Sequence, residues 1–228
     1  MKETNELTNE RKAELVFILD RSGSMSGLES DTVGGYNAMM AKQREAGGDI
    51  TVTTVLFDDR YELLHDRVRL DELKPMTNEE YFVRGSTALI DAIGKTIMKI
   101  EKAQSHVATP HKADKVIFVI TTDGHENASH RFRAEDVKRM VEQKREADGW
   151  EFIFLGANID AVETAKHYGI KPSRSANYWL DGEGIAINAQ AVGDTLCCMM
   201  NSTEALSDEE MAGCLSEIDK YHRSKKKG

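Results

Sequence analysis

Three segments of the chain are apolar throughout, without the alternation of apolar and polar residues that a half-exposed strand shows. They are LVFIL (15–19), VIFVIT (116–121) and FIFLGA (152–157). Runs of this length, rich in β-branched and aromatic residues, are typical of strands covered on both faces. Such strands occur mainly in parallel sheets, because crossover connections place helices on both sides of the sheet. The sequence therefore favours a parallel sheet between two layers of helices.

The segments between and after these runs have the periodicity of amphipathic helices. Apolar residues recur at intervals of three and four, which places them on one face of a helix. The stripes are Leu89, Ile93, Ile97 and Ile100; Val137, Met140 and Val141; and Ile185, Ala189, Val192, Leu196 and Met199. A last helix is predicted from Ser207, which has capping-box spacing to Glu210, with Met211, Leu215 and Ile218 following. Strands that alternate with helices predict a three-layer α/β fold.

One connection is too short for a parallel crossover. ITVTTVLF (50–57) and YELLHDRVRL (61–70) are separated only by Asp58, Asp59 and Arg60. Such a connection joins antiparallel neighbours, because a parallel crossover needs about a dozen residues or more. The second segment is also the more polar, as expected for an edge strand. We therefore predict a mostly parallel central sheet with one antiparallel edge strand and helices on both faces.

The composition fits one α/β domain. The chain has 228 residues, of which 40% are hydrophobic, enough for a substantial core. No internal repeat or low-complexity linker divides it. We predict a polar N-terminal extension (1–13), a single domain (14–222) and a basic tail (223–228).

Charge and cysteine content narrow the partners and the location. The formal net charge of -9 argues against nucleic acid or an anionic membrane as a partner, because both attract basic surfaces. The first residues lack the apolar core of a secretory signal, and no stretch approaches the roughly 20 apolar residues of a membrane span. The three cysteines have neither zinc-site spacing nor an even count. We expect a cytoplasmic protein.

Two aspartates directly follow strongly apolar strands, Asp20 after LVFIL and Asp123 after VIFVITT. In open α/β sheets, ligands bind beyond the carboxyl ends of the strands. Two serines alternate with other residues in DRSGS (20–24), and a threonine lies in the loop before the helix that starts near Leu89. Carboxylates and hydroxyls supply the oxygen donors that a hard divalent cation prefers. The predicted metal ligands are Asp20, Ser22, Ser24, Thr87 and Asp123.

The same motifs carry a resemblance to a known family. DRSGS (20–24), GSTALIDAI (85–93) and TDG (122–124) resemble the D-x-S-x-S, threonine-loop and TDG motifs of von Willebrand factor type A (VWA) domains. This Rossmann-like fold is shared with integrin I domains, and the motifs form its metal-ion-dependent adhesion site (MIDAS). The likeness extends from about residue 14 to residue 200. GGYNAMMAKQ, LFDDRYE and GWEFIFLGANIDA are most similar to a bacterial and phage cytoplasmic branch.

The resemblance implies a binding module rather than an enzyme. In the family, Mg²⁺ or Mn²⁺ keeps a coordination position that an aspartate or glutamate of the partner protein completes. The protein would supply at most five ligands to a six-coordinate ion, which leaves that position open. The residues expected at the rim of the site or in support of its ligands are Gly85, Asp91, Gly124, His125 and Glu126.

Two other functions compete with this interpretation. GSMSG (23–27) fits G-x-S-x-G, the nucleophile elbow of α/β hydrolases, with Ser26 as nucleophile. That elbow has its first glycine at the end of a strand, whereas here three residues intervene. A hydrolase could instead act through a metal-bound water with His125 or Glu126 as base; with His130, these two could also form a second metal position or an acid–base pair. A structural copy that binds its partner without metal is the third possibility, and the complete ligand set argues against it.

Overall fold

The computed structural model describes residues 12–227 and contains a sheet of six strands. They are β1 (Lys12–Asp20), β2 (Asp49–Phe57), β3 (Tyr61–Arg69), β4 (Lys115–Thr122), β5 (Glu151–Gly156) and β6 (Ser175–Asn177). Their spatial order is β3-β2-β1-β4-β5-β6. The β2–β3 pair is antiparallel and every other neighbouring pair is parallel. The predicted sheet, with its antiparallel edge strand β3, is confirmed.

Seven α-helices accompany the sheet in the described part of the chain. They are α1 (Glu29–Ala46), α2 (Leu89–His106), α3 (Ala134–Asp148), α4 (Ala161–His167), α5 (Gly182–Asn201), α6 (Asp208–Cys214) and α7 (Ser216–Lys225). Short 3₁₀ turns cover Gly23–Met25, Thr109–His111 and Pro172–Arg174. Among residues 12–227, none of the helices combines the length and apolar character needed to cross a bilayer.

The side chains of β1 alternate between two separate hydrophobic cores. Leu15 and Phe17 pack in the core that also holds apolar residues of α1 and α5. Val16 and Ile18 pack in the other core, with α2 and α3. All four side chains are fully buried. LVFIL is therefore apolar at successive positions because each face of the strand meets a helix layer.

The predicted helical stripes face these cores. Each residue of the α2 and α5 stripes is buried, as are Val137 and Val141 of α3, while Met140 is partly buried. The capping box is present, because Ser207 Oγ accepts from Glu210 N while Glu210 Oε2 accepts from Ser207 N. The prediction of a single helix there is wrong, because the helix is interrupted at Leu215 and the segment forms α6 and α7. The predicted apolar side chains are nevertheless buried.

The element ends differ slightly from the predicted domain limits. β1 begins at Lys12, two residues before the predicted start of the domain. α7 ends at Lys225, so the first three residues of the predicted basic tail are helical. Most of the predicted N-terminal extension (1–13) lies outside the described residues.

The first turn of α5 contains a glycine that has no room for a side chain. A Cβ atom at Gly184 would lie 2.0 Å from the backbone oxygen of Trp179. We expect Gly184→Ala to lower the free energy of unfolding by about 2–3 kcal/mol, because the backbone must move to relieve the overlap. Gly213→Ala in α6 is the matched control, since nothing lies within 4 Å of its Cβ position. Urea unfolding should show no loss for the control; equal stability of both variants would contradict this packing.

Candidate metal centre

Asp20 and Asp123 meet at one edge of the sheet because their strands are neighbours. Asp20 is the last residue of β1, and Asp123 directly follows β4, which pairs with β1 in parallel. Thr122, at the end of β4, donates from its Oγ1 to Asp20 Oδ2 over 2.6 Å. The carboxyl ends of two adjacent parallel strands therefore place both carboxyl groups on the same side of the domain.

The turn after β1 brings the two serines towards Asp123. Asp20 Oδ1 accepts from the backbone N–H of Ser22 over 2.7 Å, which closes an Asx turn. The Oγ atoms of Ser22 and Ser24 are 3.1 Å apart. Ser24 Oγ donates to Asp123 Oδ1 over 2.7 Å. The hydroxyl groups of Ser22 and Ser24 thus connect the DRSGS turn with Asp123.

The loop that carries Thr87 is tied to both of the other loops. Tyr81 donates from its hydroxyl to the backbone oxygen of Asp20, and Gly23 N donates to the backbone oxygen of Gly85 over 3.2 Å. On the other side, Thr87 N donates to Asn127 Oδ1 over 2.9 Å.

Gly124 lies close to two hydroxyl groups of the site. A Cβ atom at Gly124 would lie 3.7 Å from Ser24 Oγ and 3.8 Å from Thr87 Oγ1. Two hydroxyls from separate loops therefore flank the glycine that follows Asp123. The five predicted ligands are gathered at one edge of the sheet.

The site contains an acidic oxygen that lacks a partner. Asp20, Ser22, Thr87 and Asp123 are all less than 5% exposed, whereas Ser24 is exposed. Within residues 12–227, no donor reaches the buried Asp123 Oδ2. Burial raises the pKa of Asp20 to about 6 and also raises the pKa of Asp123. Two buried carboxyl groups with a free oxygen form an arrangement that a divalent cation would neutralise.

The donor set determines which metals fit. Among residues 12–227, no group of three or more His, Cys, Asp or Glu side chains is placed to hold a metal. The site offers two carboxylates and three hydroxyls instead. Oxygen donors alone suit Mg²⁺, Mn²⁺ or Ca²⁺ better than a thiolate- or imidazole-seeking metal. The residues present therefore fit a hard divalent cation.

Three of the predicted rim residues hold the loops of the site in place. Gly85 has φ +66°, and a Cβ there would lie 2.0 Å from Asp59 Oδ1, so the turn needs glycine. Asp91 accepts from the backbone N–H groups of residues 130–132. Glu126 accepts from three backbone N–H groups and from Ser129 Oγ.

These contacts also bear on the hydrolase alternative. Both oxygens of Glu126 are engaged in holding its loop, which does not favour Glu126 as a general base. Ser26 is exposed and lies six residues beyond the end of β1, outside the strand-to-helix geometry of a nucleophile elbow. His125 is exposed and lines a groove of about 600 Å³ beside the site, together with Trp179 and His222.

Sequence reasoning missed a buried ion-pair cluster beneath the site. Arg21, inside DRSGS, is fully buried and donates from Nε to Asp58 Oδ2 over 3.0 Å and from Nη2 to Glu62 Oε2 over 2.6 Å. Arg84 donates from Nε to the same Asp58 oxygen over 2.7 Å. An arginine beside an aspartate in a turn normally indicates exposure, so nothing in the local pattern distinguishes this residue from a surface charge.

The fold of this chain is similar to that of several solved structures. No protein-family model and no curated protein matches the chain. Solved structures do match, among them the vWF domain of the type V pilus tip protein Mfa5 from Porphyromonas gingivalis, with TM-score 0.62, 9% identity and coverage of 86% of this chain and 99% of that one. A von Willebrand factor type A protein from Catenulispora acidiphila matches with TM-score 0.54, 14% identity and coverage of 81% and 42%.

A third match contains a metal. Proximal thread matrix protein 1 from the mussel byssus, with a zinc-occupied MIDAS motif, matches with TM-score 0.57, 15% identity and coverage of 82% of this chain and 46% of that one. The chain spans between 46% and 65% of the length of the first four solved chains it matches. At these identities the likeness establishes the fold, and the chain therefore has the fold of a VWA domain.

The raised pKa of Asp20 predicts how pH affects the metal-free protein. Burial raises this pKa to about 6 from an ordinary value of 3.8, so the folded chain binds the proton more tightly than the unfolded chain. The contribution of Asp20 to stability is therefore greatest at low pH and falls as pH rises between about 4 and 6, by on the order of 2–3 kcal/mol.

The difference in unfolding free energy between wild type and Asp20→Asn in chelator, measured from pH 4 to 7, isolates this effect. The wild type should lose stability relative to the variant as pH rises. A difference that stays constant over this range would contradict the prediction. With Mg²⁺ present the wild-type trend should weaken or reverse, because metal binding requires the ionised carboxylate.

Proposed function

We propose that this domain is a divalent-metal-dependent protein-binding module. Its ligands are Asp20, Ser22, Ser24, Thr87 and Asp123, which would hold Mg²⁺ or Mn²⁺. The observation that carries the proposal is the convergence of these oxygen donors near Asp123, whose buried Oδ2 has no partner among residues 12–227. A bound divalent cation would supply a concentrated positive charge that attracts a partner's carboxylate.

Each loop has a distinct part in the proposed site. The turn after β1 supplies Asp20 and the two serine hydroxyls, already ordered by the hydrogen bond from Ser22 N to Asp20. The loop before α2 supplies Thr87, held by Asn127 and by the Gly23–Gly85 backbone contact. The exposed position of Ser24 leaves the site accessible from outside. The partner would contribute an aspartate or glutamate side chain at this opening.

An exposed aromatic residue beside the site supports a protein partner. Phe82 is 42% exposed and is one of two exposed large hydrophobic side chains among residues 12–227, the other being Met98. The guanidinium carbons of Arg21 and Arg84 lie 4.9 and 5.0 Å from the centre of the Phe82 ring. Phe82 belongs to the same loop as Thr87, so a partner that reaches the metal would also meet an anchored aromatic surface.

Titration with metal and selection of peptides test the proposal together. Mg²⁺ and Mn²⁺ should bind at one site by calorimetry. A displayed library of random peptides, selected in Mg²⁺ and eluted with chelator, should yield binders that require an aspartate or glutamate. The Asp49→Ala variant changes an exposed aspartate at the opposite end of the sheet and should behave as wild type. Absence of metal binding, or binders that ignore chelator, would refute the proposal.

Phe82 should contribute to partner affinity and not to metal binding. We expect Phe82→Ala to weaken binding of the chelator-sensitive peptides about 10-fold, because exposed aromatic residues often anchor interfaces. Its metal affinity should stay unchanged, and its free energy of unfolding should fall by about 1 kcal/mol because the ring packs against the Arg21 and Arg84 guanidinium groups. Met98→Ala in α2 is the matched control and should leave peptide affinity unaltered. Equal peptide affinity for the two variants would place the partner elsewhere.

We further propose that the domain acts by binding rather than catalysis and that the protein is cytoplasmic. The engaged carboxylate of Glu126 supports the first proposal. The three cysteines are free, as expected in a reducing compartment, which supports the second.

A further inference from the structure

A small cavity lies next to the candidate metal centre. Its volume is about 40 Å³, and it sits between the sheet and the helices α1 and α5. Asp20 forms part of its wall, together with Tyr178, Asn188 and Thr32. The rest of the wall is mostly apolar and includes Leu19 and Val119 of the sheet. The cavity therefore combines a mostly apolar lining with a few polar groups.

Two of these polar groups are deeply buried and lack a partner. Tyr178 is 2% exposed and Asn188 is 7% exposed. No group in the described part of the chain forms a hydrogen bond with Tyr178 Oη or with Asn188 Oδ1. Buried polar atoms in folded proteins are nearly always hydrogen-bonded, to protein groups or to ordered water, because an unpaired one destabilises the fold. Both atoms belong to residues that line the same cavity.

The size of the cavity selects the ligand. A cavity needs at least about 10–15 Å³ to hold a water molecule, so this space is large enough for ordered water. Organic metabolites are far larger than this space. Water is also both donor and acceptor, as the pairing of a tyrosine hydroxyl with an amide oxygen and a carboxyl group requires.

We propose that this cavity is a site for ordered water that joins Tyr178 Oη and Asn188 Oδ1 to the carboxyl group of Asp20. The water supports Asp20 from the cavity, whereas Ser22 N and Thr122 Oγ1 donate hydrogen bonds to it directly. It connects α5 and the segment after β6 to the end of β1. The inference stands on the unpaired atoms and the cavity, and not on metal binding.

The direction in which Tm changes when a single hydroxyl is removed tests this site. Tyr178→Phe removes the Oη atom and keeps the ring. If water satisfies that hydroxyl, the substitution should lower Tm by about 2–4 °C, as expected from losing one hydrogen bond in a chain of this size. If the hydroxyl is unpaired, its removal should leave Tm unchanged or raise it. The measurement is made in chelator, so that its outcome is independent of the proposed metal.

Tyr36→Phe is the comparison for a buried tyrosine that also lines the cavity but whose hydroxyl is satisfied by a protein group. Tyr36 is 1% exposed, and its Oη lies 2.7 Å from Thr54 Oγ1. The proposal expects similar losses of Tm for the two variants. A high-resolution crystal structure of the chelator-treated protein should also show water bonded to Tyr178 Oη and Asn188 Oδ1. An unchanged or raised Tm for Tyr178→Phe, or a cavity without water density, overturns the proposal even if metal binding is established.

Discussion

Asp123→Asn should lower the affinity for Mg²⁺ and Mn²⁺ by at least about 100-fold without destabilising the metal-free protein. Substitution of residues that merely support metal ligands typically costs 10–100-fold, so removal of a ligand's charge should cost more. In the absence of metal, Asp123 is a buried carboxyl group whose pKa is raised by burial and whose Oδ2 has no partner. Asparagine keeps the shape and can still accept from Ser24 Oγ, and it removes the buried charge.

Thermal melting measures both effects of this substitution: the loss of stabilisation by Mg²⁺, and the unchanged or higher stability in chelator. Mg²⁺ should raise the Tm of wild type, since a ligand that binds only the folded state stabilises it, and should not raise the Tm of Asp123→Asn. In chelator the variant should melt at the same temperature as wild type or higher. Asp49→Ala controls for the loss of an acidic charge on the same sheet. If Mg²⁺ raises the Tm of Asp123→Asn as much as that of wild type, Asp123 is not a ligand.

Asp58→Ala should lower the free energy of unfolding by about 3 kcal/mol or more. Asp58 and Arg21 are both fully buried, and Asp58 also accepts from Arg84 and from Arg60 N. Removing one member of a buried ion pair leaves the other charge uncompensated, which typically costs 3–5 kcal/mol. Glu62 remains as a partner for Arg21, but its side chain is 44% exposed and contacts only one end of the guanidinium group.

The neighbouring aspartate provides the control for this substitution. Asp59 is in the same turn, its side chain is 48% exposed, and its contact with Arg60 is 4.0 Å long. Asp59→Ala should change the free energy of unfolding by less than about 0.5 kcal/mol. Urea unfolding of both variants in chelator measures the difference. A loss below about 1 kcal/mol for Asp58→Ala would show that the buried cluster is not a main source of stability.

The sheet could be predicted because burial of a strand on both faces requires a continuous run of apolar residues in the sequence. LVFIL is apolar at every position since its side chains enter two cores, and the three-residue connection after Phe57 permits only an antiparallel neighbour. β6 was missed because Ser175–Asn177 is too short to show a period. The break at Leu215 was missed because apolar spacing continues across it from α6 into α7.

The residues of the candidate site could be proposed from the sequence, whereas the buried ion pairs next to it could not. Positions at strand ends and in loops suggested Asp20, Ser22, Ser24, Thr87 and Asp123 as ligands, and the resemblance to a family motif contains the same five residues. The buried state of Arg21 had no signal, because its partners come from another turn and another strand. Asp91 and Glu126 were expected at the rim or in support of the site, but the backbone groups from which they accept could be identified only in the folded loop.

The order of polar and apolar residues along the chain determined the layers, the strand that lies at the antiparallel edge and the residues that could bind a cation. Tertiary structure alone decided that β1 and β4 are neighbours, that Ser24 reaches Asp123, and that a cavity with unpaired polar atoms lies next to Asp20. The physical reason is the distance along the chain over which each kind of interaction acts. Periodicity and turn chemistry act over a few residues, whereas pairing of buried charges and hydroxyls depends on groups that meet only after the chain has folded.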